Sequence, residues 1–196
     1  LYPNTVYAVK VNGDEVKAWL ETAAKRFNQI DPSKTTEQQL ISTFPGYNFD
    51  MFTDADMQYE IDVTQPVGSR VKNLTYKGAT VTAAMNFIVA TNNYRASGGG
   101  NFPGLDGTKT VYASPDANRD VLISYVKTLG AVTRTVNGNA RSWHFTKVVT
   151  SGDVVFSSGV GMLAQAAAGG VPGVTLVAAD DGSGKNLSKY KIDLNQ

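Results

Sequence analysis

No cysteine occurs in the 196 residues, which closes off disulfides, thiolate catalysis and cysteine-ligated zinc. A single histidine, His144, excludes a metal centre built mainly from imidazoles within the chain. Charge of either sign is scarce and balanced. With 18 basic and 17 acidic residues and a net charge of +1, no broad basic face is available to neutralise the phosphates of a nucleic-acid duplex. No apolar run approaches the length of a membrane span. An initiating methionine and a signal peptide are missing too. The chain opens LYPNTVYAVKV, already inside a strand-like run, and reads as a fragment whose N-terminal portion has been removed.

What is present is the composition of a folded domain, with 42% hydrophobic and 18% charged residues. The length suits one domain over residues 1–196, or a domain with an appended lobe. Thr5 to Val11 alternates as a strand does, and Asn12-Gly13 supplies a turn. Asp14 to Phe27 follows a helical period, with Val16, Leu20, Ala23, Ala24 and Phe27 on one stripe. Residues 28–46 read as a loop, followed by strands at Tyr47 to Phe52 and Gln58 to Val63. VKNLTYKGATV (71–81) reads as a hairpin around Lys77-Gly78, and Phe87 to Thr91 as a short apolar strand. Thr110 to Ala113 reads as a strand and Asp116 to Leu129 as a helix. Ser114-Pro115-Asp116 starts that helix, Gly130 stops it, and Val121, Leu122, Tyr125, Val126 and Leu129 form its apolar side. Strands are expected at Trp143 to Val149, Val154 to Ser157, Val174 to Ala178 and Tyr190 to Leu194, with a helix over Met162 to Ala168. Strands and helices without βα alternation give an α+β fold, a mixed sheet with flanking helices.

Few residue patterns carry chemistry alone. DDGSGKN (180–186) resembles a phosphate-binding loop only superficially. Ala179 stands where the first glycine is required and Asn186 where Ser or Thr is required, so a turn is the expectation. Asp54 and Asp56 place two carboxylates close together, which in an extended segment share a face suited to a hard cation; a solvated strand end is the reading favoured over it. His144, between aromatics in SWHF, lacks a nearby Ser/Asp pair for a triad. The tyrosines say more. Tyr2 in YPNT and Tyr94 in TNNYRA lie at strand edges beside asparagine. A tyrosine so placed can offer its π-face to a base, and asparagine can both donate to and accept from a purine edge. On residues alone, a structural tyrosine at a strand end and a ligand-binding one both stay open.

Several ordered blocks resemble one family. YPNTVYAVKVNGDEVKAWLE (2–21), YNFDMFTDADMQYEIDVTQP (47–66), VKNLTYKG (71–78), FIVATNNYRASGG (87–99) and ASPDANRDVLISYV (113–126) are similar to the C-terminal domain of the 5′-nucleotidase family. Within it they are most similar to the bacterial periplasmic 2′,3′-cyclic-nucleotide 2′-phosphodiesterase/3′-nucleotidase branch. The resemblance is continuous from residue 1 to about 130 and thinner beyond.

The resemblance implies a division of labour. An N-terminal metallophosphatase domain, absent from this chain, holds a pair of divalent metals and hydrolyses the phosphate ester. The C-terminal domain binds the nucleoside, so this chain alone is expected to be inactive, with no catalytic residue, metal or cofactor of its own. Its expected partners are that N-terminal domain and a nucleoside or nucleotide such as adenosine, 3′-AMP or 2′,3′-cyclic AMP. Location in a periplasm or at the cell exterior follows, with a signal peptide on the missing N-terminal portion. Carried over by position, Tyr2 and Tyr94 sandwich the base and Asn4 contacts its edge. Gly100 stands where relatives keep a ribose-binding aspartate. Sugar contacts then fall to the backbone of Gly98, Gly99 and Gly100, to Asn93, or to Arg95, which equally fits a role bracing the loop. The alternative is a surface binding module of the same fold that has lost nucleotide binding.

Overall fold

The first strand becomes the first helix through a reciprocal cap. In the computed structural model, which describes residues 3–138 and 141–196, β1 (Thr5–Asn12) leads directly into α1 (Gly13–Ala23). Asn12 Oδ1 accepts the Glu15 N–H at 3.0 Å, and Glu15 Oε2 accepts the Asn12 N–H at 2.9 Å. This capping box satisfies donors that a helix start otherwise leaves orphaned. Asn12-Gly13 is therefore a helix entry rather than the turn its composition suggests. Only glycine fits there, because a Cβ on Gly13 would stand 2.2 Å from the Thr82 carbonyl oxygen. The apolar period is honoured by burial of Val16, Leu20 and Ala23, and a 3₁₀ turn over Ala24–Arg26 replaces the expected last helical turn.

Glu15 also accepts a hydrogen bond from the Lys109 ammonium. That bond first, and the Asn12 N–H second, hold its carboxyl below the ordinary value of 4.5. A carboxyl depressed in the folded state contributes stability that is complete above its unfolded value and lost as pH falls through the lower folded one. Glu15→Gln retains a cap acceptor but removes the charge. It is expected to lower the thermal midpoint at neutral pH and to flatten its decline between about pH 5 and pH 3. An acid limb identical to that of the unmodified chain would show that the Glu15 charge has no part in it.

The chain divides into two units, each assembled from three separate segments. One comprises Leu1–Ala23, Asp50–Tyr59 and Asn73–Ser142, the other Ala24–Phe49, Glu60–Lys72 and Trp143–Gln196. The first unit is built on an antiparallel sheet in the order β6–β1–β7, with β6 at Asn86–Asn92 and β7 at Thr110–Ala117. Val9, at the middle of β1, is completely buried. α2 (Asn93–Ala96) follows β6, and α3 (Asn118–Leu129) and α4 (Arg134–Asn137) follow β7. Ser114-Pro115-Asp116 stays in β7 instead of opening the helix, which starts two residues later than expected. Gly130 ends α3 with φ of 73°, as its position predicts. The expected apolar side of α3 is not buried: Val121, Leu122, Tyr125, Val126 and Leu129 are all exposed, from 38% at Leu129 to 61% at Leu122. The helix forms where its period predicts, without the burial that such a period usually signals.

The second unit carries a mixed sheet in the order β10–β11–β9–β2, formed by β2 (Gln38–Gln39), β9 (Val154–Gly159), β10 (Val174–Ala178) and β11 (Leu187–Ile192). β2 and β9 run parallel and the other pairs antiparallel. α5 (Met162–Ala168) lies between β9 and β10 in the chain, at the expected residues. β2 falls inside the stretch 28–46 that reads as loop. Two buried residues of β9, Val154 and Val155, and Tyr190 of β11 form the core with Ile30, Leu40 and Val63. Phe27, Phe49, Trp143 and Phe145 form an aromatic cluster with contacting centroids 4.9 to 6.0 Å apart, edge-to-face except for the tilted Phe27–Trp143 pair. That cluster fixes the conformation of the segment before it. Tyr47 to Phe52 is no strand: Pro45 leads into a 3₁₀ turn at Gly46–Asn48, which delivers Phe49 to the aromatics.

A further sheet, in the order β5–β4–β3–β8, comprises β3 (Met57–Ile61), β4 (Val71–Tyr76), β5 (Ala79–Thr80) and β8 (Trp143–Phe145). Its β4–β5 hairpin turns at Lys77 and Gly78, both left-handed with φ of 51° and 77°. This is the primed turn suited to strand twist, at the residues expected. β8 is shorter than the strand expected over Trp143 to Val149. β11 begins and ends before the strand expected at Tyr190 to Leu194. The observed fold class is α+β.

Candidate functional site

The two asparagines at the junction of β6 and α2 have separate structural tasks. Asn92 caps the one-turn helix α2, its Oδ1 accepting the Arg95 N–H at 2.8 Å. Asn93 turns its side chain to the neighbouring strand, where Oδ1 accepts the Thr5 N–H of β1 at 3.0 Å. Tyr94 then projects from α2 with 50% of its surface exposed. Behind it the glycines fold back. Gly98 donates to the Arg95 carbonyl at 3.1 Å and Gly99 to the Tyr94 carbonyl at 2.8 Å. A Cβ on Gly99 would lie 2.5 Å from both Cδ1 and Cε1 of the Tyr94 ring and from its carbonyl oxygen. Gly98 and Gly100 have φ of 98° and 80°, and a Cβ on Gly98 would meet the Leu105 oxygen at 2.9 Å. The run of glycines is thus what lets the backbone close against Tyr94.

Arg95 is 5% exposed. Its Nε and Nη2 reach the two carboxylate oxygens of Asp50 at 2.7 and 2.9 Å, a bidentate pair. Nη1 donates to the Gly99 carbonyl, and the guanidinium carbon sits 4.0 Å from the centroid of the Phe102 ring. Asp50 Oδ2 also accepts the Trp19 indole N–H at 3.0 Å, while the Trp19 ring meets Phe102 edge-on at 5.7 Å. Through these contacts Arg95 ties the glycine loop to Asp50. Asp50, Trp19 and Phe102 complete this tie, and sequence reasoning gave them no role. The one available signal was the position of Asp50 inside the block YNFD.

Asn4 is half-buried, and its carbonyl accepts the N–H of Asn118, the first residue of α3, at 2.8 Å. Thr5 pairs with Ala117 of β7. Asn4, Asn93, Tyr94, Arg95 and Gly98 to Gly100 therefore lie at the same end of the β6–β1–β7 sheet. Tyr2 lies outside the described residues. DDGSGKN forms side-chain-supported turns, with Asp180 and Asp181 accepting from the Gly182 and Ser183 N–H groups, each at 2.9 Å. Asp54 similarly accepts the Asp56 N–H at 2.8 Å. His144 is exposed on β8. Among the described residues no group of three or more His, Cys, Asp or Glu side chains is placed to hold a metal ion, and no helix is long and apolar enough to cross a membrane.

Comparison with known proteins gives the site a context. A family model described as 5′-nucleotidase, C-terminal domain, matches residues 1–107. The trifunctional nucleotide phosphoesterase protein YfkN of Bacillus subtilis is 38% identical over 206 residues, which cover 98% of this chain and 14% of that protein. A 2′,3′-cyclic-nucleotide 2′-phosphodiesterase/3′-nucleotidase of Salmonella typhimurium is 37% identical over 219 residues, covering 100% of this chain and 32% of that one. The chain thus spans less than a third of these relatives' length. In structure it matches a Staphylococcus aureus protein assigned as a 5′-nucleotidase with a TM-score of 0.60 at 23% identity, over 74% of this chain and 28% of the other. That likeness concerns the fold.

Proposed function

Because this chain belongs to the 5′-nucleotidase family, of which it carries the C-terminal domain, we propose that it binds the nucleoside of a phosphohydrolase acting on 2′,3′-cyclic nucleotides and 3′-nucleotides in a bacterial periplasm or at the cell surface. One observation carries the reading: a half-exposed Tyr94 ring, set on a one-turn helix and backed by a glycine loop that admits no side chain against it. Such a ring is a stacking platform held in one orientation, which reduces the entropy lost on binding. Tyr2 is the second jaw. The Asn4 side chain, able to donate and accept, meets the base edge. The backbone of Gly98 to Gly100 approaches the sugar, with Arg95 shaping that loop through Asp50 and Gly99.

The family resemblance assigns a pair of divalent metals to an N-terminal domain, where they would act as Lewis acids on the phosphate ester. Among the described residues no cluster of ligating side chains fits such a pair. The contribution of this chain is to hold the base and so orient the ester.

Adenosine titrated into the 196-residue chain is expected to shift the Tyr94 ring resonances at millimolar concentration. Tyr94→Ala is expected to weaken binding by about 5- to 150-fold, the equivalent of about 1–3 kcal/mol of stacking. If the Tyr94 resonances stay still throughout, the nucleoside reading fails and the chain is a module of this fold that no longer binds nucleotides.

A further inference from the structure

Beyond the β1–β6 ladder, a hydrogen bond from the Thr5 N–H to the Asn93 side chain joins the two sequence blocks of the site, and on it we propose that Asn93 is a positioning residue. It sets the separation of the Asn4–Thr5 segment from the Tyr94 ring instead of touching the ligand. The inference rests on the nucleoside reading above for its functional meaning, and on geometry alone for the tie itself.

Thr5 opens β1, an interior strand whose register with β6 begins one residue later at Val6↔Asn92. Its N–H is directed to Asn93 Oδ1 at 3.0 Å, across 88 residues of sequence. Asn93 lies between the residue that caps α2 and the residue that presents the ring. Its side chain therefore reports directly on the placement of Tyr94. On the other side of the strand the Asn4 carbonyl accepts the Asn118 N–H at 2.8 Å. The segment bearing Asn4 is thus held from both flanks, by α2 through a side chain and by the first residue of α3 through its backbone. Only the first of these bonds can be altered by substitution without touching the main chain. A base stacked on Tyr94 is sensitive to such a bond because the Asn4 segment must stand at a fixed distance from the ring to meet the base edge, and small misplacements lower affinity steeply.

Three variants of the chain test this. Asn93→Ala removes the acceptor, Asn93→Asp keeps an acceptor oxygen in the same place, and Thr5→Pro removes the donor at the first position of the strand, where proline is tolerated. Hydrogen exchange at the Thr5 amide is expected to accelerate in Asn93→Ala and remain slow in Asn93→Asp. Adenosine affinity is expected to fall about five- to tenfold in Asn93→Ala and in Thr5→Pro, without addition when the two are combined, and to recover in Asn93→Asp. Slow Thr5 exchange in Asn93→Ala overturns the tie. Accelerated exchange with unchanged adenosine affinity overturns the positioning role. Should Asn93→Ala not fold, the comparison of Thr5→Pro with Asn93→Asp decides, and equal affinity in those two sinks the proposal. A chain that binds no adenosine, yet shows the expected exchange pattern, retains the tie and loses the nucleoside reading.

Discussion

Gly99→Ala is expected to eliminate the adenosine response of this chain and to lower its stability by about 3 kcal/mol, the upper part of the range for forcing atoms into filled space. The added methyl would stand 2.5 Å from two ring carbons of Tyr94 and from its carbonyl oxygen. A ring can rotate away at the cost of its orientation. The carbonyl cannot, because it accepts the Gly99 N–H at 2.8 Å in the turn that closes the loop. Either the turn opens or the tyrosine leaves its place, and both remove the platform. Gly46→Ala is the matching control, since its new Cβ would meet Arg26 at an ordinary 3.6 Å; it should change stability by no more than about 0.5 kcal/mol. Thermal melts and adenosine titrations of the two variants supply the comparison. Gly99→Ala with unaltered binding would show that the loop does not need to close against Tyr94.

The second large effect belongs to Arg70, which is 1% exposed. Its Nη1 donates to the carbonyls of Ala24 and Phe27 at 2.9 and 2.6 Å, and its Nε to that of Gln65 at 3.0 Å. The 3₁₀ turn and the loop before β4 are joined through this one guanidinium. Arg70→Met conserves much of the volume but leaves these carbonyls without that donor inside the fold. A loss of about 3–5 kcal/mol is expected, read as a shift in the urea midpoint. Arg70→Lys should recover only part of it, because a single ammonium lacks the planar fork that reaches carbonyls in different directions. A loss below about 1 kcal/mol in Arg70→Met would mean that water replaces the guanidinium, contrary to its burial.

Legibility from sequence followed the range of the interaction concerned. β6, α5, β10 and the Lys77-Gly78 hairpin answer to local periodicity and turn chemistry, and they occur within a residue or so of expectation. Asn12-Gly13 went astray because one pair of residues serves equally as a turn or as a capping box, and Glu15 decides between them. The strand expected at Tyr47 to Phe52 failed because the place of Phe49 is set by Phe27 and Trp143, both distant in sequence. At the site, Tyr94, the asparagines and the glycines were visible as unusual neighbours after an apolar strand. The Arg95–Asp50 pair was not, since 45 residues separate its members and neither segment signals the other. For the same reason the sequence left Arg95 between two roles.

Both units draw on segments that alternate along the chain, 1–23, 50–59 and 73–142 for one and 24–49, 60–72 and 143–196 for the other. A single proteolytic cut in the loop between α2 and β7 would therefore leave portions of both units in each product. Neither unit can be released as one continuous polypeptide. A chain shortened to end before β7 would also strip β1 of one of its two neighbours, turning the central strand of the first unit's sheet into an open edge. Synthesis from the N-terminus meets the same constraint: β1 and α1 emerge early, yet the sheet that holds β1 is complete only once β7 has followed. Late, non-local closure of this kind predicts slow folding for a chain of its size.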